Sequence, residues 1–132
     1  MSMTNCVFIV DDDPSARKGL ARLLRTGGHD VRDFSSVNEF LNTLGLEVSG
    51  CVILDVRVLG LSGEELLTGL KASGIHLSII VVTADDDPEA RSRAQKMKAA
   101  GFFRKPVDGT ALLDAVEWAL RSSREDKNNH KA

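Results

Sequence analysis

Three groups of acids in this chain are spaced as ligands for a hard cation. Asp11, Asp12 and Asp13 follow the apolar run 6–10 (CVFIV) without a break, and Asp55 closes the run 51–54 (CVIL). A near copy of the first group, Asp85 to Asp87, follows the run 78–83 after Ala84. Part of each triplet is helix grammar, because Asp before Pro supplies an N-cap and then a favoured first helical residue. Asp13 with Pro14 and Asp87 with Pro88 need no more than that. Asp55 starts no helix of this kind. Adjacent carboxylates at a buried strand end repel one another unless a cation or hydrogen bonds compensate. Oxygen donors with no His or Cys beside them suit Mg²⁺, for which Mn²⁺ can substitute. For Asp13 and Asp11 the plainer alternative, a solvated cap, stays open.

Two further side chains end apolar runs. Thr83 closes SIIVVT and Lys105 follows GFFR, just ahead of Pro106, where a cis peptide costs little. If these runs are parallel strands, their carboxyl ends meet at one edge. A carboxylate, a metal ion, a hydroxyl and an ammonium around one point make a phosphoryl-transfer set. Asp55 is the nucleophile, Mg²⁺ and Lys105 neutralise the phosphoryl oxygens, and Thr83 donates a hydrogen bond. The product of such a site is an aspartyl phosphate.

The elements that must position these groups follow from the change of period. Five short apolar runs (6–10, 31–34, 51–54, 78–83 and 101–104) alternate with helical stripes. The stripes are Ala16, Leu20, Leu23 and Leu24; Val37, Phe40, Leu41 and Leu44; Leu66, Leu67 and Leu70; a thin one of Ala90, Ala94 and Met97 over about 88–99; and Leu112, Val116, Ala119 and Leu120. Ser36 with Glu39 and Ser62 with Glu65 have capping-box spacing, and Asp108 caps the last helix. Strand then helix, five times, predicts an α/β flavodoxin-like (βα)5 three-layer sandwich with a parallel five-stranded sheet. The expected strand order 2-1-3-4-5 puts the switch point, where such sheets bind ligands, between strands 1 and 3, beside Asp11, Asp12 and Asp55.

Composition narrows the function. With 132 residues, 42% of them hydrophobic, the chain suits one domain, taken as 1–121, followed by a polar tail or linker stub over 122–132 that is expected to be irregular. A formal charge of −2 gives no bulk attraction to nucleic acid or anionic membrane. No apolar run approaches the roughly 20 residues of a membrane span, and MSMTN is not a signal pattern, so a cytoplasmic protein is expected. Cys6 and Cys51 lie inside apolar runs as buried thiols, and His29, His76 and His130 are isolated in polar stretches.

The joint pattern VDDDPSAR, ILDVR, GLSGEEL, VVTA and KPVD resembles the receiver domain of two-component response regulators, in the CheY-like superfamily, over about residues 5–121. The phrases VDDDP, LLRTGG, DVR and GLSG look most like the FixJ subgroup. The resemblance implies that Asp55 accepts a phosphoryl group from a sensor histidine kinase or phosphotransfer protein. It implies Mg²⁺ held directly by Asp12 and Asp55, largely through water by Asp11, and by the backbone carbonyl of Arg57. Thr83 would be the switch hydroxyl, Lys105 the phosphate-pairing lysine and Phe102 the aromatic that turns inward when Thr83 moves. Arg57 and Asp85 sit where the family tunes phosphate lifetime. The fourth helix, fifth strand and fifth helix would form the face for phosphorylation-dependent homodimerisation or partner docking. Trp118 lies off the stripe of the fifth helix and either belongs to that surface or packs at its edge under its own neighbours. The basic residues Arg91, Arg93, Lys96 and Lys98 of the fourth helix are read as a solvated face. The segment carries no nucleic-acid module of its own, although subgroup relatives commonly add one after the receiver. Val58 and Leu59 depart from the usual Met-Pro of the loop after the acceptor.

Rival classes fit less well. Haloacid-dehalogenase phosphatases use D-x-D-x-[TV], mimicked by Asp11, Asp13 and Ser15, but their metal acids follow the lysine, whereas Asp85 to Asp87 precede Lys105 and Asp55 would be idle. A flavodoxin-like cofactor binder needs small hydroxyl and Gly residues after the first strand, where three aspartates would repel a phosphate. A pseudo-receiver that only binds would lack site residues that this chain has.

Overall fold

The computed structural model describes residues 3–44, 48–55, 63–84 and 88–129. Its elements alternate throughout: β1 Met3–Val10, α1 Pro14–Thr26, β2 Val31–Phe34, α2 Val37–Thr43, β3 Val48–Asp55, α3 Gly63–Ala72, β4 His76–Thr83, α4 Pro88–Lys96, β5 Gly101–Arg104 and α5 Gly109–Asn129. The five strands form one parallel sheet in the order β2-β1-β3-β4-β5, as expected.

Side-chain alternation splits the core into two layers. Phe8, Val10, Val52, Leu54, Ile79 and Val81 face α2, α3 and α4, which contribute Phe40, Leu66, Leu70, Ala90 and Ala94, with Met97 just past the end of α4. Val7, Ile9, Cys51, Ile53, Ile80 and Val82 face α1 and α5, which contribute Leu20, Ala21, Leu24, Leu112, Val116, Ala119 and Leu120. Because the central strands are covered on both sides, their sequences are apolar without alternation, and all eight residues of β3 are buried. Phe8, Phe34 and Phe40 meet as tilted rings 5.4–6.4 Å apart beneath α2.

The local signals hold where they are described. Asp13 caps α1 by accepting from the Ser15 amide, Ser36 caps α2 by accepting from the Glu39 amide, and Asp108 accepts from the Ala111 amide ahead of α5. Ser62 and Asp87 lie outside the described residues. The Glu39 carboxylate reaches back to the Ser35 hydroxyl and amide, which hold its pKa below the ordinary 4.5.

Some boundaries differ from expectation. β1, β3 and β4 begin three, three and two residues earlier than their apolar runs. The added residues break the apolar runs with Thr4 and Asn5, Ser49 and Gly50, and His76, and ladder pairing (Met3 with Val48, Ser49 with His76, Gly50 with Leu77) carries the strands through them. Gly50 makes this pairing possible: its φ is +132°, and a Cβ there would stand 1.9 Å from the Cys6 carbonyl oxygen. α4 stops at Lys96, not near Ala99, because Lys98 turns left-handed (φ +54°) and the Ala99 amide closes back on the Ala94 carbonyl. The irregular tail from Ser122 is also corrected. α5 continues through Asn129, since residues 122–129 contain no Gly or Pro to end a helix and several good helix formers.

Candidate functional site

The sheet register brings the chemistry to one edge. Val10 pairs with Leu54, so Asp11 and Asp55 occupy one row; Asp55 pairs with Val82, so Thr83 lies one step beyond; Thr83 pairs with Arg104, and Lys105 follows. The ladder runs past the last strand residues, with the Asp11 amide donating to the Phe34 carbonyl (3.1 Å) and the Lys105 amide to the Thr83 carbonyl (2.8 Å). Alternation then sorts the side chains. Asp11 continues the face of Ile9, Asp55 that of Ile53 and Lys105 that of Phe103, all on the α1/α5 side. Thr83 continues the face of Val81, and Phe102 packs on that same α4 side.

Lys105 Nζ donates to Asp55 Oδ2 at 2.8 Å and to Asp11 Oδ2 at 2.9 Å. The carboxylates it joins are fully buried, their side chains 0% and 1% exposed, while the lysine side chain is 21% exposed. Burial pushes the Lys105 pKa down, but the pull of Asp55 and Asp11 prevails and holds the ammonium above its ordinary 10.5. The Lys105–Pro106 peptide is cis. Thr83 is buried on the row next to Asp55.

Asp11 is therefore no solvated cap. Its second oxygen, Oδ1, accepts from the Asp13 amide at 2.9 Å, and Asp13 alone keeps the capping role. Asp12 is exposed. Even so, Asp11, Asp12 and Asp55 each offer an oxygen within 4.8 Å of the other two. Two ligands on opposite sides of one Mg²⁺ stand about 4.2 Å apart, and the ion ordinarily keeps several waters. The three carboxylates thus fit such an ion with part of its shell as water, and one ammonium leaves their charge only partly balanced. Arg57, Asp85, Val58 and Leu59 lie outside the described residues.

Phe102 is half-buried, and the Arg91 guanidinium lies over its ring, 5.2 Å from the centroid. Both line a groove of about 190 Å³ between α4 and β5, with Ala94, Gln95, Ala99 and Gly101. Trp118 is 65% exposed on α5. Sequence reasoning missed Arg17, which braces the acidic loop: its Nη1 donates to the Asp11 carbonyl at 2.8 Å and its Nε to Asp33 Oδ2 on β2 at 3.0 Å. The available signal was an Arg one turn after the cap Asp13, with an acid inside a four-residue strand.

The chain belongs to the response regulator receiver domain family, whose pattern residues 7–117 match. It is a receiver domain of a two-component response regulator, similar to those of FixJ type. The transcriptional regulatory protein FixJ of Azorhizobium caulinodans is 39% identical over 127 residues, which cover 96% of this chain and 60% of that protein. The transcriptional regulatory protein TdiR of Thauera aromatica is 42% identical, over 95% of this chain and 56% of that protein. The chain therefore spans little more than half the length of these relatives. Among solved structures, response regulator StyR superposes with a TM-score of 0.84 at 39% identity, over 97% of this chain and 65% of that one. The FixJ-N crystal structure gives 0.78 at 33% identity, over 89% of this chain and 94% of that one. Among the described residues no helix is long and apolar enough to cross a membrane.

Proposed function

We propose that Asp55 is a phosphoryl acceptor, supplied by a phosphohistidine of a sensor kinase or phosphotransfer protein in the cytoplasm. The observation that carries this reading is the convergence of Asp11, Asp12 and Lys105 on Asp55 at the carboxyl edge of the sheet. An Asp55 oxygen attacks phosphorus, the P–N bond breaks, and the imidazole leaves with the electron pair and takes up a proton. Mg²⁺, held by Asp11, Asp12, Asp55 and the Arg57 carbonyl, would supply positive charge to the phosphoryl oxygens. Lys105, already bonded to the acceptor, shifts its ammonium to an oxygen of the incoming group. Burial of Asp55 keeps bulk water from the new acyl phosphate.

Switching follows from charge and face. Phosphorylation adds about one and a half to two negative charges. Lys105 meets them from the α1/α5 side and Thr83 from the α4 side, where Phe102 shares its layer. Among the described residues α4 buries the small side chains Ala90 and Ala94, with Met97 just beyond its end, a light anchorage that suits an element able to shift. The face built from α4, β5 and α5 then docks a partner, a second copy or an output domain that regulates transcription. The test is incubation with acetyl phosphate and Mg²⁺, read by intact mass. One phosphoryl adduct is expected, lost in Asp55→Asn and on chelation; an adduct that survives Asp55→Asn refutes the assignment.

A further inference from the structure

The acidic loop is held at three points. The Asp11 amide donates to the Phe34 carbonyl, Asp11 Oδ1 accepts from the Asp13 amide, and the Asp11 carbonyl accepts from Arg17 Nη1 at 2.8 Å. The third point differs from the others because it is made by a charged side chain that is itself anchored. Arg17 is three residues into α1, its side chain is 17% exposed, and its Nε is fixed by Asp33 Oδ2 at 3.0 Å. The guanidinium fork is planar, so the two bonds together set its orientation. The carbonyl it grips belongs to the peptide linking Asp11 to Asp12. Turning that peptide would swing the exposed Asp12 carboxylate, whereas Asp11 is held by Lys105 and Asp13.

We propose that Arg17, anchored by Asp33, is a positioning residue for the acidic site: it fixes the peptide between Asp11 and Asp12 and so aims Asp12 at the cation. The inference rests on the Mg²⁺ reading given above. Outer partners that orient metal ligands change affinity by roughly 10–100-fold when removed. The alternatives differ in sign. Arg17 is a cation close to the site, so if it acted only by charge, its removal would tighten Mg²⁺ binding. If it were only a structural brace, its removal would lower stability and leave the affinity of the folded protein unchanged.

The experiment titrates the full chain with MgCl₂ by calorimetry, comparing wild type, Arg17→Met, Arg17→Lys and Asp33→Asn under conditions where urea melts show each variant folded. Arg17→Met is expected to weaken Mg²⁺ binding about tenfold. Arg17→Lys keeps the charge but not the fork and should fall between it and wild type. Asp33→Asn should weaken binding in the same direction. A metal-free readout runs beside it: in EDTA, amide hydrogen exchange at Asp13, which reports the Asp11 side-chain bond, should speed up in Arg17→Met more than exchange in β3 does. Unchanged or tighter Mg²⁺ binding by Arg17→Met, with wild type binding normally, overturns the positioning role. Failure of wild type itself to bind Mg²⁺ overturns the metal reading and the inference with it.

Discussion

Replacing Lys105 by Met removes an ammonium while keeping most of the stem, and so tests the ion triad at the centre of the site. In the metal-free protein the change leaves two fully buried carboxylates, Asp11 and Asp55, without the cation bonded at 2.9 and 2.8 Å. Breaking a buried pair by removing one partner costs about 3–5 kcal/mol. The lysine side chain is 21% exposed, so water screens part of the interaction and a value discounted below that range, about 2–3 kcal/mol, applies. For a domain of this size that is a fall in Tm of roughly 6–12 °C. Urea and thermal melts in EDTA and in excess MgCl₂ provide the assay. Lys105→Met should lose that stability in EDTA and regain much of it with Mg²⁺, because the ion then meets the carboxylates that the ammonium left. A loss in EDTA below about 1 kcal/mol, the level of an exposed ion pair, would refute the buried triad.

Asp12→Asn removes an exposed acid from the cluster; metal-free stability should rise by up to about 1 kcal/mol through lost repulsion while Mg²⁺ affinity falls in calorimetry. Cys51, whose thiol burial pushes up to about 12, should stay unreactive to a thiol-specific disulfide reagent in the native protein at pH 8 and react on unfolding. Both Cys51 and Lys105 bind a proton more tightly when folded than unfolded, so their contribution to urea-derived stability should be full below pH 9 and fall with rising pH, from 9 toward 12 for the thiol and above 10.5 for the ammonium. Phe40→Ala, which removes a fully buried ring packed on Phe8 and Phe34, should cost about 3–5 kcal/mol in the same melts.

The strand order and the edge were legible because they depend on repeated features: apolar runs mark strands, right-handed crossovers order them, and parallel pairing delivers Asp11, Asp55, Thr83 and Lys105 to one end. The alternation that assigns each to a face was legible too, once the strand ends were known. The brace from Arg17 was not, since it joins a helix side chain to a backbone carbonyl six residues back and to an acid on another strand. Nor was the burial of Asp11. A carboxylate ahead of a capping Asp looks solvated until the register pairs its row with Asp55 and Lys105 covers it. The continuation of α5 is hidden because its last residues offer no apolar anchor, although tail residues with no breaker can simply prolong an existing helix.

The two-residue repeat of β4 has a consequence for engineering. Adding or deleting one residue just before Thr83 would rotate the hydroxyl into the opposite layer while Asp11, Asp55 and Lys105, carried by other strands, kept their places. On the function proposed above, such a variant would separate capture from relay: a chain able to take its charge yet deaf on the α4 side.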